Sequence, residues 1–202
     1  GRVRIASPLA VEDESIRLFA ISKLDWIKKQ QKELQNQERQ SKRMYVTGES
    51  HYFKGIRYLL NVIYHDAPPK VVLKNKKYLE LYVRPDSSLE KRQEVLTEWY
   101  RQQLKQQIPP LIKKWEQIMD LEVNDWGVKR MRTKWGTCNI EAKRIWLNLE
   151  LAKKPERCLE YVVVHEMAHL LERHHNDRFV ALLDRFFPQW RKVRGELNRM
   201  VL

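Results

Sequence analysis

Apolar positions recur at helical spacing through Ile16, Phe19, Ala20, Leu24 and Ile27, which predicts a long charged helix opened by Ser7-Pro8. A short strand is expected before it, at Val3 to Ile5, and the abrupt start in strand suggests N-terminal truncation. Gln30 to Gln40 has little apolar face and is expected to project into solvent. From Tyr45 to Val83 the period shortens to that of strands. Gly48 and Gly55 punctuate this region, Tyr58 to Tyr64 reads as a strand, and Pro68-Pro69 breaks it. Val71 to Leu73 and Tyr78 to Val83 read as a hairpin turning at Asn75-Lys76.

Asp86-Ser87-Ser88 caps a second long helix with Val95, Trp99 and Leu104 inward. Pro109-Pro110 is expected to interrupt it, with a further helix from Leu111 to Met119. Val128 to Thr133 and Ile145 to Leu149 read as strands around a turn-rich Trp135-Gly136-Thr137-Cys138. A helix is predicted from about Pro155, a residue tolerated in a first turn, to Glu172. Asn176 or Asp177 can cap a helix carrying Phe179, Leu182, Leu183 and Phe186, and Pro188 restarts the last helix. With no repeat or flexible linker, the pattern predicts an α+β fold. Residues 44–202 would form one domain, a small twisted β-sheet packed on helices, with the strand and long N-terminal helix of residues 1–43 as an appendage.

Charge changes this picture little. Lys and Arg outnumber Asp and Glu 39 to 26, a net charge of +13, but they are spread along the chain without a helix-turn-helix or zinc-finger pattern. Such charge supports non-specific attraction to polyanions, nucleic acid among them, and solvated helix faces account for much of it. No apolar run is long enough to span a membrane, and the N-terminus lacks the core of a signal peptide. Cys138 and Cys158 form no C-x-x-C pair and no disulfide framework, which points to a reducing, cytoplasmic compartment.

Candidate chemistry concentrates in Val164 to His175, which holds four of the six histidines. On a helix, His165 and His169 lie one turn apart on one face, spaced to share a metal ion, with Glu166 beside the first. Tyr161 to Val164, Met167, Ala168, Leu170 and Leu171 mark the helix as mostly buried. Burying two histidines and a glutamate is costly unless they are paired or metal-bound. A third histidine follows, His175 six residues after His169, with His174 as its neighbour and rival. Three protein ligands with an open fourth position is the arrangement of catalytic zinc, whereas structural zinc is closed by four.

Three further stretches accompany the motif: Met131 to Cys138, with Trp135-Gly136-Thr137-Cys138 at its end; Ile145-Trp146-Leu147-Asn148; and His175 followed by Phe179. In this order they resemble the YgjP-like metallopeptidases, relatives of the SprT-like proteases in the zincin group. The resemblance is strongest over residues 128–192 and extends weakly back to Asp25-Trp26-Ile27. It implies a zincin-like domain whose active-site helix carries H-E-x-x-H. It also implies a zinc-dependent hydrolase, with Zn2+ held by His165, His169 and His175 and Glu166 as catalytic base. The spacing from His175 to Phe179 matches the family and favours His175 over His174. Glu172 stands where a metzincin has glycine, and Glu196, the downstream carboxylate a gluzincin would use, lies in a basic polar tail.

Cys138 has two readings, a nucleophile or fourth zinc ligand, and a small buried residue beside Trp135; free cysteine commonly behaves as the latter. Asn148 would orient substrate, support a ligand or end a strand. Trp135, Trp146 and Trp190 fit core or pocket walls. The function expected is a zinc peptidase acting on a peptide or protein substrate. Its rivals are a DNA-associated protein with a structural zinc and a hydrolase of non-peptide amides.

Overall fold

The structure, a computed structural model, describes residues 3–36 and 43–199. They divide into two compact units, one within residues 1–42 and one within residues 43–200. In the first, residues 3–7 have no regular structure, so the strand expected at Val3 to Ile5 is absent: this segment pairs with no other strand among the described residues. The single helix expected from Ser7-Pro8 is instead two, α1 (Asp13–Ser22) and α2 (Leu24–Asn36). Pro8 is used in a turn, its carbonyl accepting from Val11 N at 3.1 Å. The end of the stretch expected to project into solvent, residues 37–40, lies outside the described residues.

The second unit opens with a four-stranded sheet, β1 (Ser50–Phe53), β2 (Ile56–Tyr64), β3 (Lys70–Lys74) and β4 (Tyr78–Val83), in the order β1-β2-β4-β3. The β3–β4 pair is the expected antiparallel hairpin, with Asn75 and Lys76 in the left-handed region at its turn. The next element, α3 (Leu89–Met119), is capped by Ser88, which accepts from Lys91 N. It buries Leu96, Tyr100, Leu104, Ile108, Ile112, Trp115 and Met119 along one face, with Val95 and Trp99 only partly covered.

Pro109 and Pro110 do not interrupt α3, which runs 31 residues through both. Each proline removes one backbone hydrogen bond. Both face solvent, where the freed carbonyls can be hydrated, while Ile108 and Ile112 on either side stay buried and hold the helix to the core.

A second sheet, of three strands, replaces the single sheet expected. It contains β5 (Asp125–Lys129), β6 (Gly136–Asn139) and β7 (Arg144–Asn148) in the order β5-β7-β6. β5 ends before the predicted Val128–Thr133 strand does, because residues 131–134 form a loop held by the Asn148 side chain. Of the stretch read as turn-rich, Trp135 to Cys138, all but Trp135 lies in β6, an edge strand antiparallel to β7. A 3-10 turn (Leu149–Lys153) leads into α4 (Glu156–Ala168), then α5 (Asp177–Phe186) and α6 (Trp190–Arg199). The architecture is mixed α+β, two small sheets with helices.

Candidate metal centre

α4 is buried on most sides beyond its first turn, which is the pattern of a central helix. Val163, Val164, Met167 and Ala168 are wholly buried. Its start is held by the β1–β2 turn. Lys54 N and Gly55 N donate to the carbonyls of Ala152 and Lys153 at 3.0 and 3.1 Å, and Lys54 Nζ pairs with Glu156 at 2.6 Å. Gly55 has φ +79°, and a Cβ there would stand 2.8 Å from Pro155 Cγ, so only glycine lets the turn close on the helix start.

The helix stops at Ala168, short of the expected Glu172, and His169 is its C-cap. The chain then turns tightly, with Leu171 N and Glu172 N both donating to Ala168 O at 3.0 Å. This early stop lets the following loop return His175 to the helix. His175 Nε2 lies 3.1 Å from His165 Nε2, and one ring nitrogen from each of His165, His169 and His175 falls within 4.8 Å of the others. Two imidazole nitrogens on one tetrahedral ion at roughly 2.0–2.1 Å stand about 3.3 Å apart, so the donor set fits such an ion.

Phe179, 2% exposed, floors the cluster with its ring centroid 5.0, 4.6 and 4.7 Å from those of His165, His169 and His175. It is set there by Asn176, whose side chain accepts from Phe179 N at 3.0 Å and caps α5.

All three histidines are electrically suited to ligation. Burial, then the neighbouring His169 and His175, pushes His165 down to about 3. Burial also lowers His169 and His175 from the ordinary imidazole value. At neutral pH they are therefore uncharged and present lone pairs. His169 Nδ1 stands 3.2 Å from the Glu172 carbonyl, to which it can donate, leaving Nε2 for the centre. Tyr161 Oη makes a longer contact, 3.5 Å, with His165 Nδ1.

Glu166 is buried beside this cluster, and burial raises its carboxyl to about 8, partly offset by the positive charge of Lys134. It lies hard against Gly136 of β6: a Cβ there would come 2.5 Å from Oε1 and 2.7 Å from Cγ. Cluster and glutamate line one cleft of about 1340 Å³, together with Trp135, Gly136 and Cys138.

Cys138 is half-buried on β6 in the cleft, outside the nitrogen cluster. Burial, then the Glu166 charge, pushes its thiol up to about 11, so it is protonated at neutral pH. Trp135 forms cleft wall, with Lys154 Nζ 5.4 Å from its ring centroid. His174 is exposed and outside the cluster, its N–H donating to Glu172 Oε1 at 3.2 Å. Glu196 is held by Arg157, which donates to Oε2 at 2.7 Å, and lines no part of the cleft.

Asn148 is wholly buried and outside the cleft lining. Its Nδ2 donates to Met131 O and Lys134 O at 3.0 and 2.7 Å, and its Oδ1 accepts from Glu150 N at 3.2 Å. It braces the loop that delivers Lys134 and Trp135. Asn148→Ala leaves those buried partners unsatisfied and should cost about 1–3 kcal/mol of stability, measurable by denaturant unfolding.

Sequence reasoning gave no role to Gly136, Tyr161, Lys134 or Arg194, all of which line the cleft. Gly136 lay inside the Trp-Gly-Thr-Cys stretch, but its role depends on the approach of Glu166 on α4, an element distant in sequence. Arg194 carried no spacing signal at all.

The chain matches the YgjP-like family, metallopeptidase domain, over residues 1–200. Among solved structures it is similar to the metallopeptidase zymogen abylysin of Pyrococcus abyssi. That match has 17% identity and a TM-score of 0.41, covering 46% of this chain and 97% of that one. It is also similar to the zymogen jannalysin of Methanocaldococcus jannaschii. Here identity is 18% and the TM-score 0.40, with 45% and 92% covered. No curated protein matches the chain. The family match spans nearly the whole sequence: the chain belongs to the YgjP-like family, carries its metallopeptidase domain and is a metal-dependent hydrolase.

Proposed function

We propose that this protein is a zinc-dependent peptidase with a zincin-like active-site helix. In it His165, His169 and His175 hold the ion and Glu166 is the general base. The observation that carries the reading is the convergence of three uncharged imidazoles beside a buried carboxyl in one open cleft. Nitrogen donors suit zinc, and the described residues supply three ligands to the cluster, in keeping with an open fourth position. Bound there, zinc would acidify a water and polarise a carbonyl.

Glu166, adjacent to His165 and facing the cleft, takes a proton from the attacking water and passes it to the leaving amine. Its tight seat against Gly136 restricts where the carboxylate can stand. β6 is an edge strand bordering the cleft, and an extended peptide can add to it through main-chain hydrogen bonds. Cys138, protonated and outside the cluster, takes no part in this scheme. The free thiols of Cys138 and Cys158 suit a reducing compartment, where we place the protein. None of the described helices is long and apolar enough to cross a membrane.

Metal analysis tests the ligand set. The purified protein should carry about one equivalent of zinc, and chelation should abolish peptide hydrolysis. His175→Ala should lose most of the metal while His174→Ala retains it; the opposite pattern would overturn the assignment.

A further inference from the structure

Three cations from separate segments line the cleft: Lys134 in the loop before β6, Arg173 in the loop after α4, and Arg194 on α6. Each is exposed, and each stands on backbone tied to the site. The Lys134 carbonyl accepts from buried Asn148 at 2.7 Å. Arg173 directly follows Glu172, whose carbonyl lies 3.2 Å from His169 Nδ1. The Arg194 guanidinium lies 5.9 Å from the centre of the buried Trp190 ring, which lines the same cleft.

Elsewhere on these helices cations are spent in ion pairs, such as Arg157 with Glu196 and Arg191 with Asp184. None of the three cleft cations forms an ion pair among the described residues. The acidic groups lining the cleft are Glu141 and Glu166, and Glu166 is almost wholly buried beneath it. The open mouth therefore carries excess positive charge, which a zinc ion would increase.

We infer that the cleft selects acidic peptide segments, with Lys134, Arg173 and Arg194 receiving carboxylates on the residues flanking the scissile bond. The inference rests on the peptidase reading and deepens it. Concave walls of low dielectric focus such a field and concentrate ligands of opposite charge. The cations surround a concave site instead of forming a stripe, which favours one extended peptide strand over a nucleic-acid duplex.

The test uses three otherwise identical fluorogenic peptides whose flanking residues are all Glu, all Gln or all Lys, with the zinc-loaded protein. We expect kcat/KM for the Glu peptide to exceed that for the Gln peptide by about tenfold or more, with the Lys peptide poorest. The preference should shrink as salt is raised. The double variant Arg173→Glu/Arg194→Glu, verified as folded by circular dichroism and zinc content, should reverse the order in favour of the Lys peptide.

Cleavage of all three at equal rates would overturn the inference and leave the peptidase reading standing. Cleavage of none would sink the peptidase reading. In that event, binding of the same peptides to Glu166→Gln protein by fluorescence anisotropy decides the inference: the Glu peptide tightest supports it, and equal affinities overturn it. Single-stranded DNA of matched length displacing the Glu peptide at lower concentration than that peptide's own unlabelled form would also overturn it, in favour of nucleic acid as the ligand.

Discussion

Glu166→Gln should abolish nearly all hydrolysis while leaving the metal in place. Glutamine keeps the shape of the side chain and its fit against Gly136, but it cannot accept and return a proton. General-base catalysis by a positioned side chain contributes about 10²- to 10⁴-fold, and the loss should appear in kcat with zinc content unchanged. Full activity in a zinc-loaded variant would show that another group moves the proton.

The same substitution has a second, opposite consequence for the metal-free protein. Burial raises the Glu166 carboxyl to about 8 in the folded state, against 4.5 for the free group. A group with a raised folded pKa contributes stability that is fully present below its unfolded value and is lost as pH rises through the folded one. Between about pH 4.5 and 8, wild-type apo-protein should therefore lose stability progressively relative to Glu166→Gln. The variant's melting temperature should exceed wild type at pH 8 and converge with it near pH 4. Stability would thus be sacrificed for a carboxylate placed where the chemistry needs it.

Gly136→Ala should be the second large lesion, at a residue with no reactive group. The added methyl would stand within 2.8 Å of Oε1, Cγ and Cδ of Glu166, a clash with a side chain that is itself buried. Either β6 retreats or the carboxylate swings away. Overpacking of this kind costs about 1–3 kcal/mol of stability. A displacement of about 1 Å at a catalytic group costs on the order of 10²-fold in rate. We expect zinc stoichiometry to be preserved, because the three histidines stand on α4 and the loop after it and none of them is among the atoms the added methyl would meet. Unchanged kcat with unchanged stability would show that the strand yields freely and does not position Glu166.

These two residues illustrate what was legible in the sequence. His165, Glu166 and His169 could be placed because helical spacing is a local property: one turn brings the first and last together whatever the rest of the chain does. The cap at Asn176 and the β3–β4 hairpin were legible for the same reason. The errors arose where packing overrode local preference. Pro109 and Pro110 ought to break a helix, yet buried Ile108 and Ile112 hold α3 continuous. Gly136 to Cys138 looked like a turn, yet pairing with Leu147, Trp146 and Ile145 makes it a strand.

The sequence by itself determined the candidate residues: two histidines and a glutamate at the spacing of one helical turn, set in a largely buried helix that makes uncompensated burial costly. Only the tertiary structure decided the rest of the site. It ended α4 at Ala168 so that His175 could return to His165, and it brought an edge strand against Glu166 through a glycine. It also gathered Lys134, Arg173 and Arg194 from three segments around one cleft. Those relations depend on long-range packing, which no local period or spacing encodes.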